Sequence, residues 1–166
     1  LVTNGVYKTG GRAVFGSMTN RVTIDKPVIL QSVNGPQNTS IEGYRLPSVL
    51  VGDGAIRCVY LTNGASISGF TLTNGGTRAI YEAAPSQSSA GAAWCEPVGV
   101  LISNCVIVAN AAHRTAGGVY RGLLFDCTIS SNSVRDFGNA TGGGVHSSTL
   151  VNCSLIGNSS VLNAGG

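Results

Sequence analysis

The sequence predicts an all-β fold, a β-solenoid of about five to seven rungs in which short parallel strands coil around one core. Three observations predict it. A six-residue pattern recurs five times, each copy an apolar residue, a spacer, a small turn-former, a bulky core residue, a spacer, and Leu or Ile. The copies begin at Ile41, Ile67, Ile102, Leu124 and Leu150, with starts 26, 35, 22 and 26 residues apart. Recurrence at this interval marks stacked repeats. Glycine supplies 24 of the 166 residues while charged residues are 10%, so Ser, Thr and Asn must furnish the polar surface. That composition suits many short strands joined by tight turns. No window sustains a 3.6-residue period, and β-branched residues dominate the apolar stretches, which excludes long helices.

The elements follow in order. The first copy runs Ile41-Glu42-Gly43-Tyr44-Arg45-Leu46 and the second Ile67-Ser68-Gly69-Phe70-Thr71-Leu72, with Thr62-Asn63-Gly64 and Thr73-Asn74-Gly75 read as turns. The third, fourth and fifth copies carry Cys105, Cys127 and Cys153 at the bulky position, and each Cys is followed five residues later by Asn110, Asn132 or Asn158. Gly117-Gly118-Val119-Tyr120 and Gly143-Gly144-Val145-His146 precede the last two copies by the same offset. A rung therefore reads Gly-Gly-Val, a short strand, Cys-x-Ile/Leu-x-x-Asn, then a polar turn. Alternation points the Cys and Ile/Leu positions inward, where each stacks on its copies at the spacing of neighbouring strands. Tyr44 and Phe70 are the expected earlier members of the Cys column. The Asn column is expected at a corner of left-handed backbone, its side chains forming a ladder of amide hydrogen bonds. Asp126 shares a position with Asn104 and Asn152 and reads as a turn-former. A β-sandwich would not hold these columns in fixed register.

With these motifs assembled, the chain resembles a known family. Asn4-Gly5-Val6-Tyr7, Val22-Thr23-Ile24-Asp25-Lys26-Pro27-Val28-Ile29-Leu30, Asn34-Gly35-Pro36 and Ile41-Glu42-Gly43 resemble the start of right-handed parallel β-helix domains of the pectate-lyase-like superfamily. The later Gly-Gly-Val…Asn-Cys-x-Ile…Asn repeats resemble large secreted or surface-anchored bacterial proteins of that class. The resemblance spans nearly the whole chain, residues 1–166 as one domain, and implies the fold; activity does not follow from fold.

The column cysteines read as small buried hydrophobes carrying free thiols, because side chains on in-register parallel strands point the same way. Without a Cys-x-x-Cys or a histidine in the column, no metal site is expected. Cys58 and Cys95 lie outside it, nine and seven residues before Ile67 and Ile102, which leaves a disulfide between them as an option. Such a bond would favour an extracytoplasmic location.

The 35-residue interval is the irregular one. Its excess, about ten residues over roughly 76–97, is expected to emerge as a loop on one face. That loop holds Arg78, Tyr81, Glu82, Trp94 and Glu96, an aromatic platform with charged neighbours suited to a sugar ring, or else structural packing over the coil's side. Tyr120 and His146, 26 residues apart, form either an exposed sugar contact or a cross-rung pair. Arg114 and Asp136 fall at equivalent positions and predict a surface ion pair.

Function classes narrow accordingly. The net charge of +3 is scattered, with no basic run, so no nucleic-acid partner is indicated. No apolar stretch of about 18 residues occurs, so no span of a membrane is expected. A lyase or hydrolase of the resembled family requires clustered carboxylates for calcium or for paired acid–base work. The acids here are Asp25, Glu42, Asp53, Glu82, Glu96, Asp126 and Asp136, with no two adjacent and no pair at equivalent positions of consecutive rungs. The expectation is a secreted or cell-surface solenoid with a structural, adhesive or glycan-binding role and no cofactor; the competing reading is a polysaccharide lyase or glycoside hydrolase acting on acidic polysaccharide. An ice-binding face has only Thr71-Leu72-Thr73 in its favour. The start at Leu1 suggests a processed or trimmed chain, and the stop at Gly165-Gly166, where a new Gly-Gly-Val is due, suggests a missing C-terminal cap and end-to-end self-association.

Overall fold

The computed structural model of the chain describes residues 1–14, 16–62, 64–79, 84–96, 100–136 and 140–161. Asn63, Tyr81, Glu82 and the terminal Gly165-Gly166, each singled out in the sequence, fall outside them. The protein is all-β and built of stacked, mainly parallel sheets; among the described residues the only helix is the single turn Pro85–Ser88. No helix among them is long and apolar enough to cross a membrane.

Four sheets account for the strands. The first contains Gly5–Tyr7, Thr39–Glu42, Thr71–Thr73, Val106–Val108, Thr128–Ser130 and Ser154–Ile156. The second contains Ile29–Gln31, Ser66–Ser68, Val100–Ser103, Gly122–Phe125 and Thr149–Val151. The third is small: Ala111–Ala112, Ser133–Val134 and Ser159–Ser160. The fourth contains Arg12–Ala13, Thr19–Ile24, Ile56–Thr62, Ala93–Glu96, Val119–Tyr120 and Val145–His146, parallel except for the first pair. From Val119 onward the chain visits the fourth, second, first and third sheets in turn and re-enters the fourth at Val145. Each strand thus pairs with its copy one repeat away, and the alternating pattern buries the middle residue of Thr71–Thr73, Val106–Val108 and Thr128–Ser130. Their inward side chains, with Ile67, Phe70, Ile102 and Leu124, form one continuous core.

Four of the five six-residue copies stand in register: Ile67, Ile102, Leu124 and Leu150 pair in the second sheet, and Leu72, Ile107, Ile129 and Leu155 in the first. The first copy is out of register. Ile41 pairs with Leu72, the last position of the second copy, and the true partner of Ile67 is Leu30. An excursion through residues 33–38 separates Leu30 from Ile41 in that repeat. Tyr44 consequently leaves the inward column; it is 42% exposed and forms an antiparallel bridge with Ile56. Phe70, Cys105 and Cys127 are buried there and Cys153 is partly so.

The corners obey backbone sterics. Gly69, Asn104, Asp126 and Asn152 all have left-handed φ, the turn-former role expected of that position. At the next corner the left-handed residues are Asn74, Ala109, Ser131 and Gly157, so Asn110, Asn132 and Asn158 each follow the strained residue instead of occupying it. That shift turns each carboxamide inward, where it satisfies the backbone that the corner strips from the sheets. Asn110 Nδ2 donates to Asn132 Oδ1 and Asn132 Nδ2 to Asn158 Oδ1, both at 2.9 Å. Asn132 also donates to the Ile107 carbonyl at 2.9 Å, and its Oδ1 accepts from the Asn110 backbone N–H at 3.0 Å. At the corner into the fourth sheet, backbone lies directly on backbone: a Cβ on Gly117 would stand 2.4 Å from the Gly143 carbonyl oxygen and 2.5 Å from the Ser133 nitrogen. Only glycine fits.

Asn132→Ala is therefore expected to lower stability by about 3 kcal/mol, because it strands several buried backbone and side-chain partners at once. Urea unfolding checks this, with the exposed Asn38→Ala as a control near zero.

Candidate functional site

The fourth sheet presents an aromatic row outward. Tyr60, Trp94, Tyr120 and His146 occupy one register position on four successive strands. Parallel strands hold equivalent side chains in parallel planes, and the rings stack: Trp94 on Tyr120 with centroids 4.4 Å apart and 5° between planes, Tyr120 on His146 at 5.4 Å and 1°. Trp94 and Tyr60 are buried while Tyr120 and His146 are partly exposed. The row's polar edge is organised by Glu96, whose Oε2 accepts from Trp94 Nε1 at 3.2 Å and from the Tyr60 hydroxyl at 3.4 Å. Burial, and then the Glu96 charge, push the Tyr60 phenol up to about 12. The Arg121 guanidinium lies 5.0 Å from the centroid of the Tyr120 ring. Pro85, Ser86, Trp94, Glu96, Tyr120 and Arg121 together line an open groove of about 280 Å³.

A buried arginine holds the groove's outer wall. Arg57, on the strand next to that of Trp94, is 1% exposed and its guanidinium carbon stands 5.7 Å from the centroid of the Trp94 ring. It donates to the backbone carbonyls of Ala90 at 2.7 Å, Ser86 at 2.6 Å and Ser89 at 2.8 Å, and to Asn20 Oδ1 at 2.8 Å. Desolvation brings it down to about 9, so it remains protonated at neutral pH. These bonds seat the Pro85–Ser88 turn, and with it Ser86, beside the aromatic row.

The sequence-derived candidates separate as follows. Trp94, Glu96 and Tyr120 meet in the groove, and His146 extends the row behind Tyr120. Trp94 sits on a strand, Ala93–Glu96, inside the segment read as a loop. With Tyr120 stacked on one side and Arg57 reaching in from the strand on the other, its ring faces are taken, and its one N–H is given to Glu96, so Trp94 offers an edge rather than a stacking platform. Arg78 belongs to a different cluster: it pairs with Asp53 at 2.8 Å, bonds Gln87 at 2.9 Å and contacts Ser17. Tyr81 and Glu82 lie outside the described residues. Asp136 is buried, not on the surface as the expected ion pair with Arg114 requires.

The Cys58–Cys95 disulfide is not made; both thiols are free and buried, and burial pushes each up to about 12. Register explains this. Cys95 pairs with Leu61, and Cys58 lies three positions earlier on that strand, about 10 Å away. A disulfide requires Cα atoms within about 7 Å.

Sequence reasoning missed Arg57, Tyr60, Arg121, Pro85 and Ser86. A signal for the row did exist, since Ala93-Trp94, Val119-Tyr120 and Val145-His146 recur at 26-residue offsets, each after a glycine-bearing corner. Chemically, the described lining of the groove offers the Glu96 carboxylate, the Arg121 guanidinium and aromatic edges. Among the described residues no three His, Cys, Asp or Glu side chains are placed to hold a metal ion.

Arg57→Met is expected to cost about 3–5 kcal/mol, leaving four acceptors unpaired, and to speed amide exchange over residues 86–90. Urea unfolding and hydrogen exchange measure the two effects. A pH effect also follows. Burial holds His113 and His146 below the ordinary 6.5, Asp136 partly opposing the shift at His113 and Arg121 adding to it at His146. Groups depressed in the folded state contribute stability that is complete above pH 6.5 and lost as pH falls through their lower folded values. The thermal midpoint should therefore drop on acidification below about pH 6, and less so in a His113→Gln/His146→Gln double variant. Comparison of the chain with known protein families, curated proteins and solved structures finds no match.

Proposed function

We propose that the chain is a right-handed parallel β-helix of the pectate-lyase-like class, secreted or displayed at a cell surface, that holds a polysaccharide or cell-surface glycan without cleaving it. Support for the β-helix comes from the fixed order in which the chain visits its sheets, together with the strong right-handed preference of parallel crossovers. The observation that carries the binding role is the groove beside the aromatic row, where Glu96 and Arg121 meet the edges of Trp94 and Tyr120. Such a set matches a ligand rich in hydroxyls and bearing some charge: the carboxylate's remaining lone pairs address hydroxyls, and the guanidinium addresses a carboxylate or an acetal oxygen. The partly exposed Tyr120 edge supplies apolar contact for the C–H surface of a ring. Non-catalytic action fits the same geometry. Among the described residues, Glu96 is the sole carboxylate lining the groove, and two protein donors already hold it. Glycoside hydrolysis calls for a second carboxylate across the scissile bond.

Titration of neutral and uronic-acid oligosaccharides, followed by Trp94 emission and calorimetry, tests the reading. Binding of at least one uronic-acid oligosaccharide is expected, weakened about tenfold by Arg121→Ala or Glu96→Gln, the loss of one charge-assisted hydrogen bond. Release of unsaturated products absorbing in the ultraviolet would instead support a lyase. Equal affinity in both variants and the native chain would remove the groove as the site.

A further inference from the structure

Asn-Gly occurs four times in the chain, beginning at Asn4, Asn34, Asn63 and Asn74. The dipeptide suits tight turns, but glycine has no Cβ to screen its nitrogen, which can close on the carboxamide carbon of the preceding asparagine. In a folded chain the outcome turns on whether the glycine N–H is engaged. The Gly5 N–H donates to the Asn38 carbonyl at 3.0 Å. The Gly75 N–H is buried and donates to Asn110 Oδ1 at 2.8 Å, while Asn74 Oδ1 accepts from Arg45 Nε at 3.2 Å. Gly35 differs from both. Its N–H meets no acceptor among the described residues, and a Cβ built on it would touch only Gln37 Oε1, at 3.6 Å. The Asn34 side chain is exposed and held only through Nδ2, which donates to Asn4 Oδ1 at 2.7 Å. Asn63 lies outside the described residues. Asn34 and Gly35 belong to the excursion through residues 33–38, with Asn4 of the preceding turn on one side and Gly69 of the following turn on the other. Their exposure is therefore lateral, that of a turn leaving the coil.

We infer that Asn34 is a self-modification site, at which the folded chain converts asparagine into aspartate and isoaspartate. Hydroxide removes the Gly35 amide proton, and the nitrogen attacks Asn34 Cγ. The bond from the Gly35 nitrogen to Cγ forms, the Cγ–Nδ2 bond breaks, and ammonia leaves with a proton taken from water. Water then opens the cyclic imide at either carbonyl. Opening at Cγ leaves an aspartate in an unaltered main chain; opening at the backbone carbonyl routes the main chain through the side chain as isoaspartate. One water is consumed and one ammonia released, and nothing is oxidised or reduced. Either product gains a negative charge and loses the Nδ2 donor, so the bond to Asn4 is lost with it. At Asn4 and Asn74 the glycine N–H must first leave its acceptor, which requires local opening of the sheet or of the asparagine ladder. The hydrogen bonds thus choose among chemically equal pairs.

The test incubates the folded 166-residue chain at mildly alkaline pH, with circular dichroism confirming that the fold persists. Peptide mapping by mass spectrometry reads the replacement of NH2 by OH at each asparagine, and electron-transfer fragmentation separates aspartate from isoaspartate. The same chain in concentrated urea is the reference, in which Asn4, Asn34 and Asn74 should lose their amides at similar rates. In the folded chain Asn34 is expected to react first, with Asn4 and Asn74 slower by about tenfold or more. Asn110→Ala, which removes the acceptor of the Gly75 N–H, should speed the reaction of Asn74 relative to Asn34. Asn34 reacting no faster than Asn4 or Asn74 in the folded chain would overturn the inference. So would an Asn34 amide that stays intact in the folded chain after the urea-unfolded chain has lost it. The native comparison remains decisive even where Asn110→Ala fails to fold.

Discussion

In-register stacking is the constraint on which the other features depend. When each strand pairs with its own copy one repeat away, every side chain is presented to its own equivalent, and each position must be compatible with itself. Asparagine meets the requirement at the corners because a carboxamide is both donor and acceptor, so Asn110, Asn132 and Asn158 satisfy one another. Aromatic rings meet it on the fourth sheet by lying flat on one another, and small apolar thiols meet it in the core. A charged position repeated in this way would meet like charge at strand spacing, so the 10% charged content of the chain follows from its architecture.

The same rule locates where chemistry can reside. Function needs a departure from self-similarity, and the aromatic row supplies one: along a single register position the residues change from Tyr60 to Trp94, Tyr120 and His146. Glu96, at the end of its strand, and Arg121, at the bend between two strands, give the groove opposite charges. The groove exists because two repeats are alike in backbone and unlike in side chain.

How much of this was legible depended on whether a residue acts through its copies. The four later six-residue copies could be read directly, since their inward positions pair with equivalents. Ile41 misled because an apolar residue suits either end of the pattern, and only the pairing with Leu72 reveals which end it occupies. The Asn ladder was legible but its backbone was displaced by one residue, because Ala109 and Ser131 accept left-handed φ that their side chains do not advertise. Trp94 was assigned to a loop because the long interval conceals two lengthenings around a strand in register. Ala93 follows Leu72 by 21 residues where Val119 follows Ile107 by 12, and Val100 follows Ala93 by seven where Gly122 follows Val119 by three. Arg57 left no trace, since its partners are mainly carbonyl oxygens, which every residue possesses.

Arg57 also bears on how the molecule comes apart. Repeat arrays whose units touch only their neighbours unravel from the ends, one unit after another. This guanidinium joins Asn20, on the preceding strand of its sheet, to Ser86, Ser89 and Ala90, which lead into the following one. Fraying either flank would leave a desolvated cation short of acceptors, so the three strands must open together. The strands Thr19–Ile24, Ile56–Thr62 and Ala93–Glu96 are thereby made a single cooperative block within an otherwise piecewise array, and the groove is built against its edge.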